Sequence, residues 1–201
     1  MTILVGRKAP EFTAPAVLAS GEIVEQLNFS KQRNGKYAVI VFYPLDFTFV
    51  CPSELIALDK RVAALKALDV EVFSVSIDSH YTHLAWRNTA ISDGGIGPVQ
   101  YTMVADVSHS IVKAYGVESP DAGVAFRGTF LIDKTGFVRH QVVNDLPLGR
   151  NMDELTRMVE ALQFFEKNGE VCPAGWHKGE KGMTASPQGV ADYLAKNAAS
   201  L

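Results

Sequence analysis

The sequence predicts an α/β fold with a largely parallel central sheet, and three observations carry that expectation. Tyr37–Tyr43 (YAVIVFY) is an unbroken apolar run rich in β-branched and aromatic residues, bounded by Gly35 and Pro44. Such a run suits a strand buried on both faces. From Ser53 the period changes: Leu55, Leu58, Val62 and Leu65 fall on one helical face, with Asp59, Lys60 and Lys66 off that stripe. Val70–Ile77 (VEVFSVSI) is a second β-rich run. A strand–helix–strand–helix order implies parallel pairing with right-handed crossovers.

The remaining elements follow in order. Short apolar clusters broken by Pro10, Pro15 and Gly21 predict a loop and a small N-terminal hairpin covering one side of the core. Lys31–Gly35 (KQRNG) reads as a polar turn into the central strand. Asp78 and Ser79 are N-cap types for a helix over His80–Thr89, and Ser92–Pro98 (SDGGIGP) is a loop lacking a phosphate-binding pattern. Thr102–Ala105 is a short strand. Asp106 or Ser108 caps a short helix carrying Ile111, Val112 and Tyr115. GTFLID (128–133) and FVRHQVV (137–143) form a hairpin turning at Gly136. Asn151, with Glu154 three residues on, starts a last helix running to about Lys167 with Leu155, Met158, Val159, Leu162 and Phe165 on one face. Residues 170–190, rich in Gly, Pro and Lys, show no period and read as an extended tail, followed by a short segment around Tyr193. The chain therefore divides into a domain over residues 3–167 and a tail over residues 168–201. The element order is that of a thioredoxin-like α/β fold with an N-terminal hairpin insertion and an extended C-terminal tail. Its site belongs at the strand end preceding the first long helix.

Composition narrows the function. Of 201 residues, 47% are hydrophobic and 20% charged, with a net charge of −3. These are ordinary values for a globular protein. Lysine and arginine are not clustered, so no nucleic-acid footprint is expected. No apolar stretch approaches a membrane span, and MTILVGRKAP lacks the pattern of a signal peptide. The expectation is a cytoplasmic protein. Five histidines are present, but only His80 and His83 are close together and no H-E-x-x-H occurs, so no metal site is expected. The two cysteines, Cys51 and Cys172, are far apart in sequence and form no CxxC. In a reducing compartment such a pair suits a transient catalytic disulfide better than a permanent one.

Cys51 lies between strand and helix, with Pro52 next to it, where a helix start tolerates a missing N–H. Unpaired backbone N–H groups and the positive end of the helix dipole meet there and favour the anionic, nucleophilic form of a thiol. The alternative is a buried, inert cysteine, and the strand–loop–helix setting favours the reactive one. Arg127 begins a predicted strand beside an apolar run. It is either a solvated edge charge or an anion-handling residue, and position alone favours the edge charge.

Pro44-Leu-Asp-Phe-Thr48-Phe-Val-Cys51 resembles the P-x-x-x-[TS]-x-x-C signature of peroxiredoxins, and Glu170-Val-Cys172-Pro-Ala-Gly-Trp176 resembles the second cysteine motif of typical 2-Cys peroxiredoxins. The chain looks like the alkyl hydroperoxide reductase C / thioredoxin peroxidase branch over nearly its whole length. The resemblance implies a thiol-dependent peroxidase for hydrogen peroxide and alkyl hydroperoxides. It implies Cys51 as the peroxidatic cysteine, Thr48 hydrogen-bonding around the peroxide oxygens and Pro44 shielding the sulfur. It places Arg127 beside sulfur and peroxide, displacing the edge-charge reading, with Glu54 and Arg150 as a supporting acid–base pair. It implies Cys172 as the resolving cysteine from a second subunit; disulfide geometry then predicts local unwinding around Cys51, because a cysteine packed into a first helical turn does not otherwise come within reach of a tail cysteine. No cofactor is implied. The partners implied are a thioredoxin or a flavoprotein disulfide reductase and a homodimer extending to a ring decamer, with the Phe47 loop and the region of Thr82 near the second interface. Gly94-Gly95-Ile96-Gly97 and Tyr193-Leu194 depart from the loop and tail pattern of easily over-oxidised members, which implies intermediate sensitivity. A peroxide sensor or redox relay and a holdase-like chaperone are the competing readings.

Overall fold

The computed structural model describes residues 3–200. The chain divides into two units, one ending at Met152 and one beginning at Asp153.

The first unit is built on a seven-stranded sheet of order β2-β1-β5-β4-β3-β6-β7. The strands are β1 (Thr13–Val17), β2 (Ile23–Asn28), β3 (Tyr37–Phe42), β4 (Val70–Ser76), β5 (Thr102–Ala105), β6 (Arg127–Ile132) and β7 (Val138–Asn144). The pairs β3–β4 and β4–β5 are parallel, Tyr37 lying opposite Val70 and Phe73 opposite Thr102. β6 pairs antiparallel with β3, and β7 with β6. This is the thioredoxin-like α/β arrangement expected. Every residue of β3 is buried, as its unbroken apolar run requires.

α2 (Cys51–Ala67) follows β3 and packs against β4. Its stripe of Leu55, Leu58, Val62 and Leu65 is no more than 2% exposed. α3 (His80–Asn88), capped by the Ser79 hydroxyl, packs against β1 and β5. Ile40 and Phe42 share a core cluster with Phe73, Val75, Val104, Phe130 and three residues around α4 (Ser110–Ala114): Ile111, Val112 and Tyr115. Asp106 organises that short helix. Its Oδ2 accepts the backbone N–H groups of Ile111 at 2.9 Å and Val112 at 2.8 Å.

Two expectations for this unit are corrected. The N-terminal hairpin does not merely cover the core: β1 pairs antiparallel with β5 and extends the same sheet. The polar turn over 31–35 is mostly helical. α1 (Phe29–Arg33) starts at Asn28, whose side chain accepts the Lys31 N–H, and it buries Phe29. Asn28 is an N-cap type, and Arg33 is buried because its guanidinium bonds the carbonyls of Lys36, Asp133 and Lys134.

The second unit carries α5 (Met152–Asn168) from its second residue on, and α6 (Pro187–Asn197), the latter capped by the Ser186 side chain on Gly189 N–H. The predicted short segment around Tyr193 is thus an 11-residue helix. Phe165, placed on the inner face of α5 from its period, is 48% exposed, and Phe164 instead packs its ring against Trp176. No helix among the described residues is long and apolar enough to cross a membrane.

Asp106→Ala removes the acceptor for two amides, with Asp106 itself 1% exposed. We expect a loss of about 2 kcal/mol in stability, read as a lowered denaturant midpoint with an unchanged slope.

Candidate active site

Cys51 is the first residue of α2, with Pro52 behind it, and no side chain caps this helix end. A proline is tolerated here because first-turn N–H groups have no intrahelical partner. The amides of Ser53 and Glu54 turn back onto the Val50 carbonyl at 3.1 and 3.3 Å. The sulfur is buried, Cys51 being 1% exposed.

Arg127 stands at the start of β6, and β6 lies between β3 and β7 rather than at the sheet edge. Its side chain is 4% exposed, and Nη1 donates to Cys51 Sγ at 3.5 Å. The same nitrogen donates to Glu54 Oε2 at 2.7 Å, and Nε holds the Leu146 carbonyl at 2.7 Å. A solvated edge charge, the reading that position alone favours, is therefore overturned by topology.

Glu54 is three residues after Cys51 and projects from the same helical turn. Its Oε1 accepts from Arg150 Nε at 2.8 Å and from the Arg150 backbone N–H at 2.8 Å, and its Oε2 accepts from Arg150 Nη2 at 3.0 Å. Arg150 is fixed further by bonds from Nη1 to the Gly128 carbonyl at 2.7 Å and to Thr129 Oγ1 at 3.1 Å. Glu54, Arg127 and Arg150 thus form one buried chain of charges, their side chains 2%, 4% and 3% exposed. Burial pushes the Glu54 carboxyl up. The hydrogen bonds and charge of Arg150, with the charge of Arg127, outweigh burial and hold it below the ordinary carboxylate range.

The loop from Pro44 to Thr48 leads into this helix start. Pro44 is buried. Thr48 Oγ1 donates to the Leu45 carbonyl at 2.8 Å, leaving its oxygen lone pairs as acceptors. Cys51, Glu54, Arg127 and Arg150 are therefore joined by direct bonds, with Thr48 and Pro44 on the loop feeding that cluster. Cys172 lies in the second unit. It is a partly buried free thiol whose Sγ donates to the Ala161 carbonyl at 3.4 Å.

Sequence reasoning did not single out the polar network that anchors this loop. Asp46, 6% exposed, accepts the Tyr43 hydroxyl at 2.7 Å and bonds His83 Nδ1 at 2.7 Å. Its backbone N–H donates to Asp78 Oδ2 at 2.9 Å, and Asp78 also accepts the Ser76 hydroxyl at 2.6 Å. Burial, then the Asp46 carboxylate, push the Tyr43 hydroxyl well above its ordinary value, so it stays a donor. The available signal was an aspartate four residues beyond a strand buried on both faces. A buried carboxylate needs partners.

Comparison with known proteins agrees with this geometry. Residues 5–141 match the AhpC/TSA family, and residues 161–196 match the C-terminal domain of 1-Cys peroxiredoxin. The chain is 53% identical over 194 residues to alkyl hydroperoxide reductase C of Buchnera aphidicola, covering 96% of this chain and 98% of that one. To the protein of the same description from Helicobacter pylori it is 54% identical over 199 residues, covering 99% and 100%. The crystal structure of the reduced 2-Cys peroxiredoxin of Plasmodium vivax superposes with a TM-score of 0.93 at 46% identity, covering 97% of this chain and 100% of that chain. Fold, buried thiol and relatives define a thiol-dependent peroxidase, an oxidoreductase of the peroxiredoxin class. The chain belongs to the AhpC/TSA family.

Removing the carboxylate leaves two buried guanidinium groups uncompensated. Glu54→Gln should cost about 3–5 kcal/mol, measured by urea denaturation at neutral pH. The folded carboxyl lies below its unfolded value, so its ionised form stabilises the fold above the ordinary carboxylate range. That stabilisation is lost as pH falls through the folded value. The gap between wild type and Glu54→Gln should accordingly be widest near neutrality and shrink below about pH 4.

Proposed function

We propose that Cys51 is the sulfur that reduces the hydroperoxide and that Cys172, carried on a C-terminal tail over residues 168–201, resolves the product. The observation that carries this reading is the Arg127 guanidinium 3.5 Å from Cys51 Sγ at an uncapped helix start. The guanidinium and the helix dipole stabilise an anionic sulfur and are already in place before substrate arrives. The sulfur attacks one peroxide oxygen in line, the O–O bond breaks, and the second oxygen leaves as alkoxide or hydroxide and takes up a proton. Charge grows on that leaving oxygen, and Arg127 together with the Thr48 hydroxyl stabilises it. Pro44 limits access of water to the sulfur. Glu54 and Arg150 hold Arg127 in position through the bonds described above.

The product on Cys51 is a sulfenic acid. The Cys172 thiol of a second subunit attacks it, a sulfur–sulfur bond forms and the sulfenic oxygen departs as water. A disulfide needs Cα atoms within about 7 Å, so the first turn of α2 unwinds to present Cys51. An external dithiol, from a thioredoxin or a flavoprotein disulfide reductase, then returns both sulfurs to thiols by exchange. An intersubunit bridge requires at least a homodimer, and a ring decamer extends the same reading. The place of action is the cytoplasm, where a transient disulfide is renewed by reductant. That the Plasmodium vivax relative is a 2-Cys peroxiredoxin supports a part for both cysteines.

Steady-state turnover of hydrogen peroxide with an excess dithiol tests them. Cys51→Ser should abolish activity, and Arg127→Ala should lower kcat/KM by about 10²–10³. Activity surviving in Cys51→Ser would overturn the assignment. After one equivalent of peroxide, a non-reducing gel should show a covalent dimer in wild type and none in Cys172→Ser.

A further inference from the structure

Cys172 lies in a segment pinned on both sides, and within the second unit one face of α5 supplies much of the pinning. Just before the cysteine, Val171 and Met183 exchange backbone hydrogen bonds of 2.9 Å in each direction. Just after it, the Trp176 N–H bonds the Pro173 carbonyl at 3.2 Å and closes a turn. Arg157, Ala161 and Phe164 are spaced to share one helix face, and all three meet this turn. Arg157 Nη1 donates to the Trp176 carbonyl at 2.8 Å. The Ala161 carbonyl takes the Cys172 thiol at 3.4 Å, and the Phe164 and Trp176 rings lie 4.8 Å apart. The guanidinium is itself held in a fork, Nε and Nη2 reaching Glu154 at 2.6 and 2.7 Å. Trp176 is 3% exposed.

We propose that Arg157 is a positioning residue for the resolving step: its guanidinium latches the Cys172–Trp176 turn to α5 and sets how often the Cys172 sulfur comes free to react. This deepens the reading above and rests on Cys172 being the resolving thiol. To react, the sulfur leaves the Ala161 carbonyl and attacks the sulfenic sulfur. The sulfur–sulfur bond forms, the sulfur–oxygen bond breaks, and the Cys172 proton departs with the oxygen as water. Of the contacts holding the turn to α5, the thiol–carbonyl bond is weak and the Phe164–Trp176 rings meet at a tilt of 42°, whereas the guanidinium–carbonyl bond is charge-assisted and fixed in geometry. Arg157 also acts on the sulfur through its charge. Burial pushes the Cys172 thiol up and the guanidinium pulls against it. A latch and an activating charge predict opposite results when the fork is lost, and the latch predicts acceleration.

The test uses the full-length reduced protein. In a Cys51→Ser background, where Cys172 is the sole thiol, maleimide alkylation should be roughly tenfold faster in Arg157→Lys and Arg157→Gln, the scale of one lost charge-assisted hydrogen bond. Glu154→Gln, which loosens the same guanidinium from the solvent side, should shift the rate in the same direction by less. With Cys51 restored, rapid quenching after one equivalent of hydrogen peroxide should show faster disulfide formation in both Arg157 variants. Alkylation unchanged or slowed in both variants overturns the latch. Faster alkylation with an unchanged disulfide rate overturns its part in resolution. A disulfide that still forms in Cys172→Ser overturns the resolving assignment instead, independently of the alkylation result.

Discussion

A single carboxylate holds the site together. Glu54 accepts bonds from two arginines that come from opposite ends of the β6–β7 hairpin region: Arg127 opens the first strand and Arg150 follows the second. Without it, each guanidinium would face the other in a nearly dry interior, where like charges repel strongly. With it, both forks are locked, and Arg127 keeps one nitrogen against the sulfur. The sheet order serves this arrangement. β6 lies antiparallel against β3, so its first residue reaches the end of β3 from which the loop runs to Cys51.

The loop needs separate support because it has no ladder of its own. Phe47 sits at φ +52°, unusual for a bulky side chain, and is half exposed over the Trp86 ring. Asp46 offsets that strain by bonding Tyr43, His83 and Asp78 at once. Two buried networks, one on each side of the same short loop, thus set the position of Thr48 and the entry to α2.

The parts of the fold legible in the sequence were those whose burial is one-sided or total. The run over Tyr37–Phe42 and the stripe through Leu55, Leu58, Val62 and Leu65 left little choice. Short helices were harder. α1 depends on one asparagine cap and on Arg33 finding two carbonyls, of Asp133 and Lys134, far away in sequence, and neither produces a period. α5 misled by one residue because Phe164 and Phe165 are adjacent and both apolar, and ring contact with Trp176 decided between them. At the site, Cys51 could be read from its place between a strand and Pro52. Arg127 could not, because a strand start carries no mark of whether the strand will be interior. Glu54 and Arg150 were reached only through the motif resemblance. Helical spacing could have brought Glu54 forward, but nothing local pairs it with a residue 96 positions on.

The buried triad also has a net sign. Two guanidinium groups and one carboxylate leave a surplus of one positive charge in a region where no side chain of the three is more than 4% exposed. On the reading proposed above, in which Cys51 reacts as an anion, its sulfur would restore neutrality. Its conversion to the uncharged sulfenic acid proposed above would strand the extra cation away from water, at a cost that opening the helix start to solvent would relieve. Oxidation itself would then loosen the enclosure that made it possible.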